Sequence, residues 1–136
     1  MTIKSLHISS SGQGLREFTD QVRSAVAEAD VEEGLCTVFL RHTSASLIIQ
    51  ENADASAKRD LEAWLNRLVP EGDPLYTHND EGPDDMPAHV KATLTAVSIS
   101  IPIVEGKLAL GRWQGIYLWE HRRGPHQREV VVHVGE

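Results

Sequence analysis

From Val97 to Ile103 every second residue is branched and apolar: Val97, Ile99, Ile101 and Ile103 alternate with Ser98, Ser100 and Pro102. A period of two places the branched set on one face of a strand and leaves the other face wet or against a partner. Pro102 has no N–H to donate, which puts it at an edge or a bulge. Further β-rich runs occur at residues 2–9 (Leu6 and Ile8 on one face), 35–41, 46–50, 108–110, 116–119 and 129–134, and Glu105-Gly106-Lys107 reads as a hairpin turn. Helical spacing is confined to a few stretches. Between 11 and 33, Leu15, Phe18, Val22, Ala25, Val26 and Ala29 share a stripe that Gly34 would stop. Asp54 is placed to cap a second helix with Ala57, Leu61, Trp64, Leu65 and Leu68 on its apolar side, closed by Pro70, and residues 88–95 form a short third segment. About seven strands and two or three helices, with no βαβα alternation, predict one α+β domain over 1–136 with largely antiparallel sheets.

Charge narrows the partners. Twenty acidic residues against 13 basic ones give a net charge of −7, which leaves no basic excess to neutralise a nucleic-acid backbone. No run has the length of a membrane span, and the opening MTIKSLHISS lacks the apolar core of a signal peptide. The single cysteine, Cys36, lies in the apolar run 35–40, excludes an internal disulfide and reads as a buried thiol. The expectation is a soluble cytoplasmic protein.

Seven histidines sort by their surroundings. His7 and His133 fall inside strand patterns and read as ordinary strand-face residues. His42 opens His42-Thr43-Ser44-Ala45-Ser46 at the end of an apolar strand, where imidazole and hydroxyls offer either a site or a polar turn satisfying its own backbone. His78 and His89 bracket the loop-like stretch 70–87, with Glu81, Asp84 and Asp85 between them. Imidazole plus carboxylate suits zinc, manganese or iron, although the spacing matches no established zinc signature and a solvated acidic loop explains the same letters. Glu120-His121-Arg122-Arg123 sets an acid, an imidazole and two guanidiniums at a strand end, either for phosphate or as a solvated turn. In Gly111-Arg112-Trp113-Gln114-Gly115 two glycines flank a Trp-Gln pair, so that Trp113 reads as an interface anchor or a surface for stacking a ring. No phosphate loop, dinucleotide fingerprint or nucleophile elbow occurs.

The blocks His42-Thr43-Ser44-Ala45-Ser46, Glu51-Asn52-Ala53-Asp54, Glu81 to His89 and Gly111 to Ile116 occur in this order in the YjbQ-like family, also described as secondary thiamine-phosphate synthases, which the chain resembles from about residue 35 to its end. Arg112 stands where that family usually has Thr, and Gln50 where it usually has Asn. The resemblance implies a homotrimer with polar clefts near subunit boundaries. It also implies a transferase that joins a pyrimidine pyrophosphate to a thiazole phosphate with the help of a divalent cation: zinc, manganese or magnesium. On that reading His78, Asp85 and His89 hold the metal. Ser44, Asn52, Trp113, Gln114, Glu120 and Arg122 contact substrate, and His42 with Glu51 or Asp54 handles protons as the catalytic set. The alternatives use the same ligands: a metal-dependent hydrolase of a small phosphorylated metabolite, or a non-catalytic metal- or metabolite-binding trimer.

Overall fold

The alternating stretch becomes β5 (Ser98–Val104), one of eight strands in the computed structural model, which describes all 136 residues. In chain order the others are β1 (Thr2–Ser10), β2 (Gly14–Glu17), β3 (Gly34–Leu40), β4 (Ala45–Glu51), β6 (Lys107–Leu108), β7 (Gln114–Glu120) and β8 (His126–Gly135). The helices are α1 (Thr19–Ala29), α2 (Ala55–Leu68) and α3 (Asp85–Leu94). The strands form two sheets, β1-β8-β3-β5-β6 and β2-β7-β4, and every strand pair is antiparallel. The fold is therefore α+β with antiparallel sheets.

Alternation explains the layering. The inward set of the five-stranded sheet (Cys36, Val38, Leu40, Ile101, Ile103, Val130, Val132 and Val134) packs with Leu47, Ile116 and Leu118 of the three-stranded sheet and with Val22, Ala25 and Val26 of α1 in one core. Removing these side chains from water is the main stabilising term. The three-stranded sheet is covered on its other face as well: Leu15, Tyr117 and Trp119 meet Leu65 and Val69 at the end of α2. The outer face of the five-stranded sheet has no helix over it. Ile3, Leu35 and Phe39 are exposed there, and His7 and His133 share the face.

Several local readings are corrected. Leu15 and Phe18 fit a helical stripe with Val22, yet Leu15 belongs to β2 and packs in the α2 cluster while Phe18 packs in the main core. Side chains on opposite faces of one sheet cannot share a helix stripe. α1 begins at Thr19 and ends at Asp30 in the left-handed conformation, so Gly34 opens β3 rather than stopping the helix. Asp54 does cap α2, its carboxylate accepting from the Ser56 N–H at 2.9 Å. Trp64 and Leu68 on the predicted stripe stay about half exposed, and Leu65 alone of that helix is buried. The acidic loop ends earlier than its prolines suggest: α3 starts at Asp85 and carries Pro87 within its first turn, where an N–H has no helical partner to lose. Cys36 is fully buried, and burial pushes its thiol up to about 11.

Candidate metal and substrate site

The acidic loop folds back over the strand end that carries Arg122. Gly82 makes this return possible: its φ of +107° suits glycine, and a Cβ there would lie 3.1 Å from Asp84 Oδ1. Asp85 and His89 stand one turn apart on α3, hence on the same face. His78, from the loop, brings its Nε2 to 2.7 Å from Asp85 Oδ2, and His89 Nε2 lies 3.2 Å from the same oxygen. The three ligand atoms fall within 4.8 Å of one another.

Asp85 and His89 are each oriented by a second contact. Arg122 donates from Nη1 to Asp85 Oδ1 at 2.7 Å, from Nε to Asp84 Oδ2 at 2.9 Å and from Nη2 to the Glu81 carbonyl at 2.8 Å. Asp84 also accepts the Arg123 N–H at 2.9 Å. Burial works against the Asp85 charge, but the hydrogen bond from His78 and the Arg122 guanidinium outweigh it and hold the carboxyl below its usual value. The hydrogen bond to Asp85 correspondingly raises His78.

His89 carries the most telling contact. Its Nδ1 lies 3.0 Å from the Thr43 carbonyl oxygen, which can only accept, so Nδ1 bears a proton. In the neutral ring Nε2 then presents a lone pair to Asp85 Oδ2, and two acceptors 3.2 Å apart repel unless a positive centre relieves them. A second ring proton does this, and so does a metal ion. Imidazole anchored through its other N–H to a backbone carbonyl is the outer-shell arrangement that orients metal-ligating histidines. The donor set, two imidazoles and a carboxylate, fits a borderline divalent ion.

Behind the cluster a buried ion pair joins the two sheets. Glu120 Oε1 accepts from Arg128 Nε and from Ser10 Oγ, both at 2.7 Å, while Oε2 takes Arg128 Nη2 and the Arg122 N–H. Arg128 Nη2 also donates to Ser44 Oγ at 3.0 Å and to the Ser44 carbonyl at 3.3 Å. One pair thus fixes both Ser44, next to the Thr43 carbonyl that orients His89, and the start of the turn that sends Arg122 to Asp85. Glu120 and Ser44, read from sequence as substrate contacts, are buried in this pair. Arg122, read the same way, has three donor nitrogens engaged within the chain. Arg128 escaped notice although the period of two exposes it: it shares the inward phase of Val130, Val132 and Val134, so a guanidinium there needs a buried partner.

His42 stands at the same end, its Nε2 accepting the Glu129 N–H at 2.8 Å, and lines a cleft with His89. His121, also buried, contacts Ser46 Oγ at 2.8 Å; burial, with Lys91 nearby, lowers it to about 3.

The remaining predicted residues gather elsewhere. In the register of β4 with β7, Ala45 faces Glu120 at the cluster end and Glu51 faces Gln114 at the other, so the two ends are separated by roughly 20 Å of strand. Asn52, Trp113, Gln114, Glu51 and Asp54 occupy that far end. Asn52 donates to Glu17 Oε2 at 3.2 Å, Gln114 accepts the Gly111 N–H at 2.7 Å, and Asp54 caps its helix. Arg112 lies 4.7 Å over the ring of Trp113, which is 54% exposed. Within one chain, then, His42 does not meet Glu51 or Asp54.

Two antiparallel sheets, three helices and a His-Asp-His cluster at one sheet end define a class before any relative is considered. The model of the family described as UPF0047 protein YjbQ-like matches residues 4–136, and the chain belongs to that family. A UPF0047 protein of Synechocystis is 55% identical over 129 residues, covering 95% of this chain and 88% of its own. The UPF0047 protein YjbQ of Escherichia coli O157:H7 is 38% identical over 95% of this chain and 94% of its own. A crystal structure of an uncharacterized YjbQ/UPF0047 protein from Clostridium acetobutylicum superposes with a TM-score of 0.86 at 40% identity, covering 99% and 100% of the two chains. The family has no characterised function among these relatives, and no helix of this chain is long and apolar enough to cross a membrane.

Proposed function

We propose that this protein is a metal-dependent enzyme of the cytoplasm that acts on a small phosphorylated metabolite. His78, Asp85 and His89 would hold one divalent ion, of the zinc, manganese or magnesium kind. The observation that carries the reading is the convergence of His78 Nε2, Asp85 Oδ2 and His89 Nε2 within 4.8 Å of one another, while His89 Nδ1 is fixed on the Thr43 carbonyl. Such an ion supplies a Lewis acid that draws charge from a phosphate oxygen. Arg122 keeps Asp85 ionised and aimed, and the Thr43 carbonyl keeps His89 in the tautomer that offers Nε2. His42, with Nε2 occupied by the Glu129 N–H, offers Nδ1–H as a donor in the adjoining cleft.

Hydrolysis is the reaction favoured first, because Arg122 is committed to Asp84, Asp85 and Glu81 and no further cation of the cluster is free to hold a pyrophosphate leaving group. The second reading is the thiamine-phosphate synthase-type transfer of a pyrimidine onto a thiazole phosphate. The cleft of about 460 Å³ beside His89 favours it, since a second substrate needs room there. The assembly proposed is a homotrimer using the uncovered outer face of the five-stranded sheet, where Ile3 and Leu35 are exposed, and the Trp113 segment. Light scattering giving the mass of one subunit at micromolar concentration would remove the trimer. For the activity, metal-loaded protein is incubated with a panel of phosphate monoesters and, separately, with both thiamine precursors. Release of phosphate supports hydrolysis, the coupled product supports the transferase, and neither reaction above a His89→Ala control leaves only the binding role.

A further inference from the structure

The cleft beside the cluster is built unlike the cluster. Phe39 and Leu40 at the end of β3, Ala92 on α3 and Val97 before β5 form its walls, and His42 and His89 are among its polar groups. Its volume, about 460 Å³, is that of a small-molecule site. Charge is nearly absent from it. Arg41 reaches the rim but is paired with Glu129 Oε1 at 2.7 Å. The His42 ring takes the Glu129 N–H on Nε2, so the neutral ring carries its proton on Nδ1, which has no hydrogen-bond partner within the chain. Thr43 and Thr93 bring hydroxyls to the lining, but a polyhydroxylated body would leave those of its hydroxyls that face Phe39, Ala92 and Val97 without partners, at a cost that apolar atoms do not incur.

We infer that this cleft receives the organic body of the substrate, and that the body is apolar or aromatic with one hydrogen-bond acceptor for His42 Nδ1–H, rather than a sugar. Only the phosphate end of that substrate rests on the metal reading proposed above. Phe39 and Val97 are then specificity-determining residues and His42 a substrate-binding one.

Two probes separate the body from the head group. Phenol reports the cleft alone, followed through the His42 ring resonances of protein labelled with 15N-histidine. Phenyl phosphate, glycerol 3-phosphate and inorganic phosphate report the joined site, by calorimetry on the metal-loaded chain. Phenol is expected to shift the His42 resonances, and phenyl phosphate to bind roughly tenfold more tightly than the other two. Val97→Ser, which removes the apolar wall without adding charge, is expected to weaken both effects while metal content and inorganic phosphate affinity stay unchanged; Phe39→Ser provides an independent check. Equal affinities for the three phosphates with no phenol shift overturn the inference and leave the metal–phosphate reading intact. A phenol shift without binding of any phosphate upholds the cleft and overturns that reading instead.

Discussion

The two ends of the three-stranded sheet carry polar blocks of similar appearance and use them differently. At the Ala45–Glu120 end, side chains from the acidic loop, α3 and the β7–β8 turn converge on the Asp85 carboxylate, His78 and His89 at Oδ2 and Arg122 at Oδ1. At the Glu51–Gln114 end each polar side chain closes a local backbone or turn requirement. Gln114 accepts the Gly111 N–H, Asp54 caps α2, and Asn52 binds Glu17 beneath Gly115, where a Cβ would stand 2.6 Å from that carboxylate. A polar cluster satisfied from within supports architecture. One whose two imidazole nitrogens and carboxylate oxygen all lie within 4.8 Å of one another has the donor set for a cation.

The largest effect expected lies behind the cluster. Arg128→Met strands Glu120 in the core and should lower stability by about 3–5 kcal/mol in urea unfolding, with much of the loss recovered when Glu120 is replaced by Leu as well. If the single and double variants unfold alike, the pair does not join the sheets as described. Next comes metal affinity: Arg122→Ala should weaken it by about 10–100-fold, as removing an outer-shell partner does, whereas Asn52→Ala at the far end should leave it unchanged. Equal losses in both variants would erase the contrast between the ends.

The pH dependence is expected to be smaller and to reside in His121. The unfolded chain takes up its proton near 6.5 and the folded chain only near 3, so His121 contributes stability that is fully present above 6.5 and is lost as pH falls through that interval. The charged groups that face it are Lys91, Glu120 and Arg128. His121→Phe should flatten the acid limb of the stability curve; an unchanged limb would place the titration elsewhere. The smallest effect belongs to Trp113→Ala, where an exposed ring under Arg112 should change subunit stability by no more than about 0.5 kcal/mol.

Sequence pattern reached the fold class, β5 and its hairpin and the Asp54 cap, because each rests on local periodicity or on letters close in the chain; it offered His78 and His89 with Glu81, Asp84 and Asp85 between them, and the family resemblance selected Asp85. It failed where distant partners decide. β2 passed for helix because Leu15, Phe18 and Val22 keep helical spacing, and only the separation of Leu15 and Phe18 onto two faces of a sheet tells the difference. The site was legible as a list and illegible as a place. Glu51 and His42 are nine positions apart, yet the intervening strand carries them to opposite ends, while His78 and Arg122 both reach Asp85 across a loop that pattern treats as solvent-filled.

Metal binding to untagged protein tests the difference between the ends most directly. Wild-type chain, Asp85→Asn, His89→Ala and Asn52→Ala would be equilibrated with zinc, manganese or magnesium, freed of excess ion and analysed for metal per chain. One ion per chain in the wild type and Asn52→Ala, and none in the two cluster variants, is the result expected. Metal absent from the wild type, or retained equally by all four proteins, would contradict a metal site at His78, Asp85 and His89.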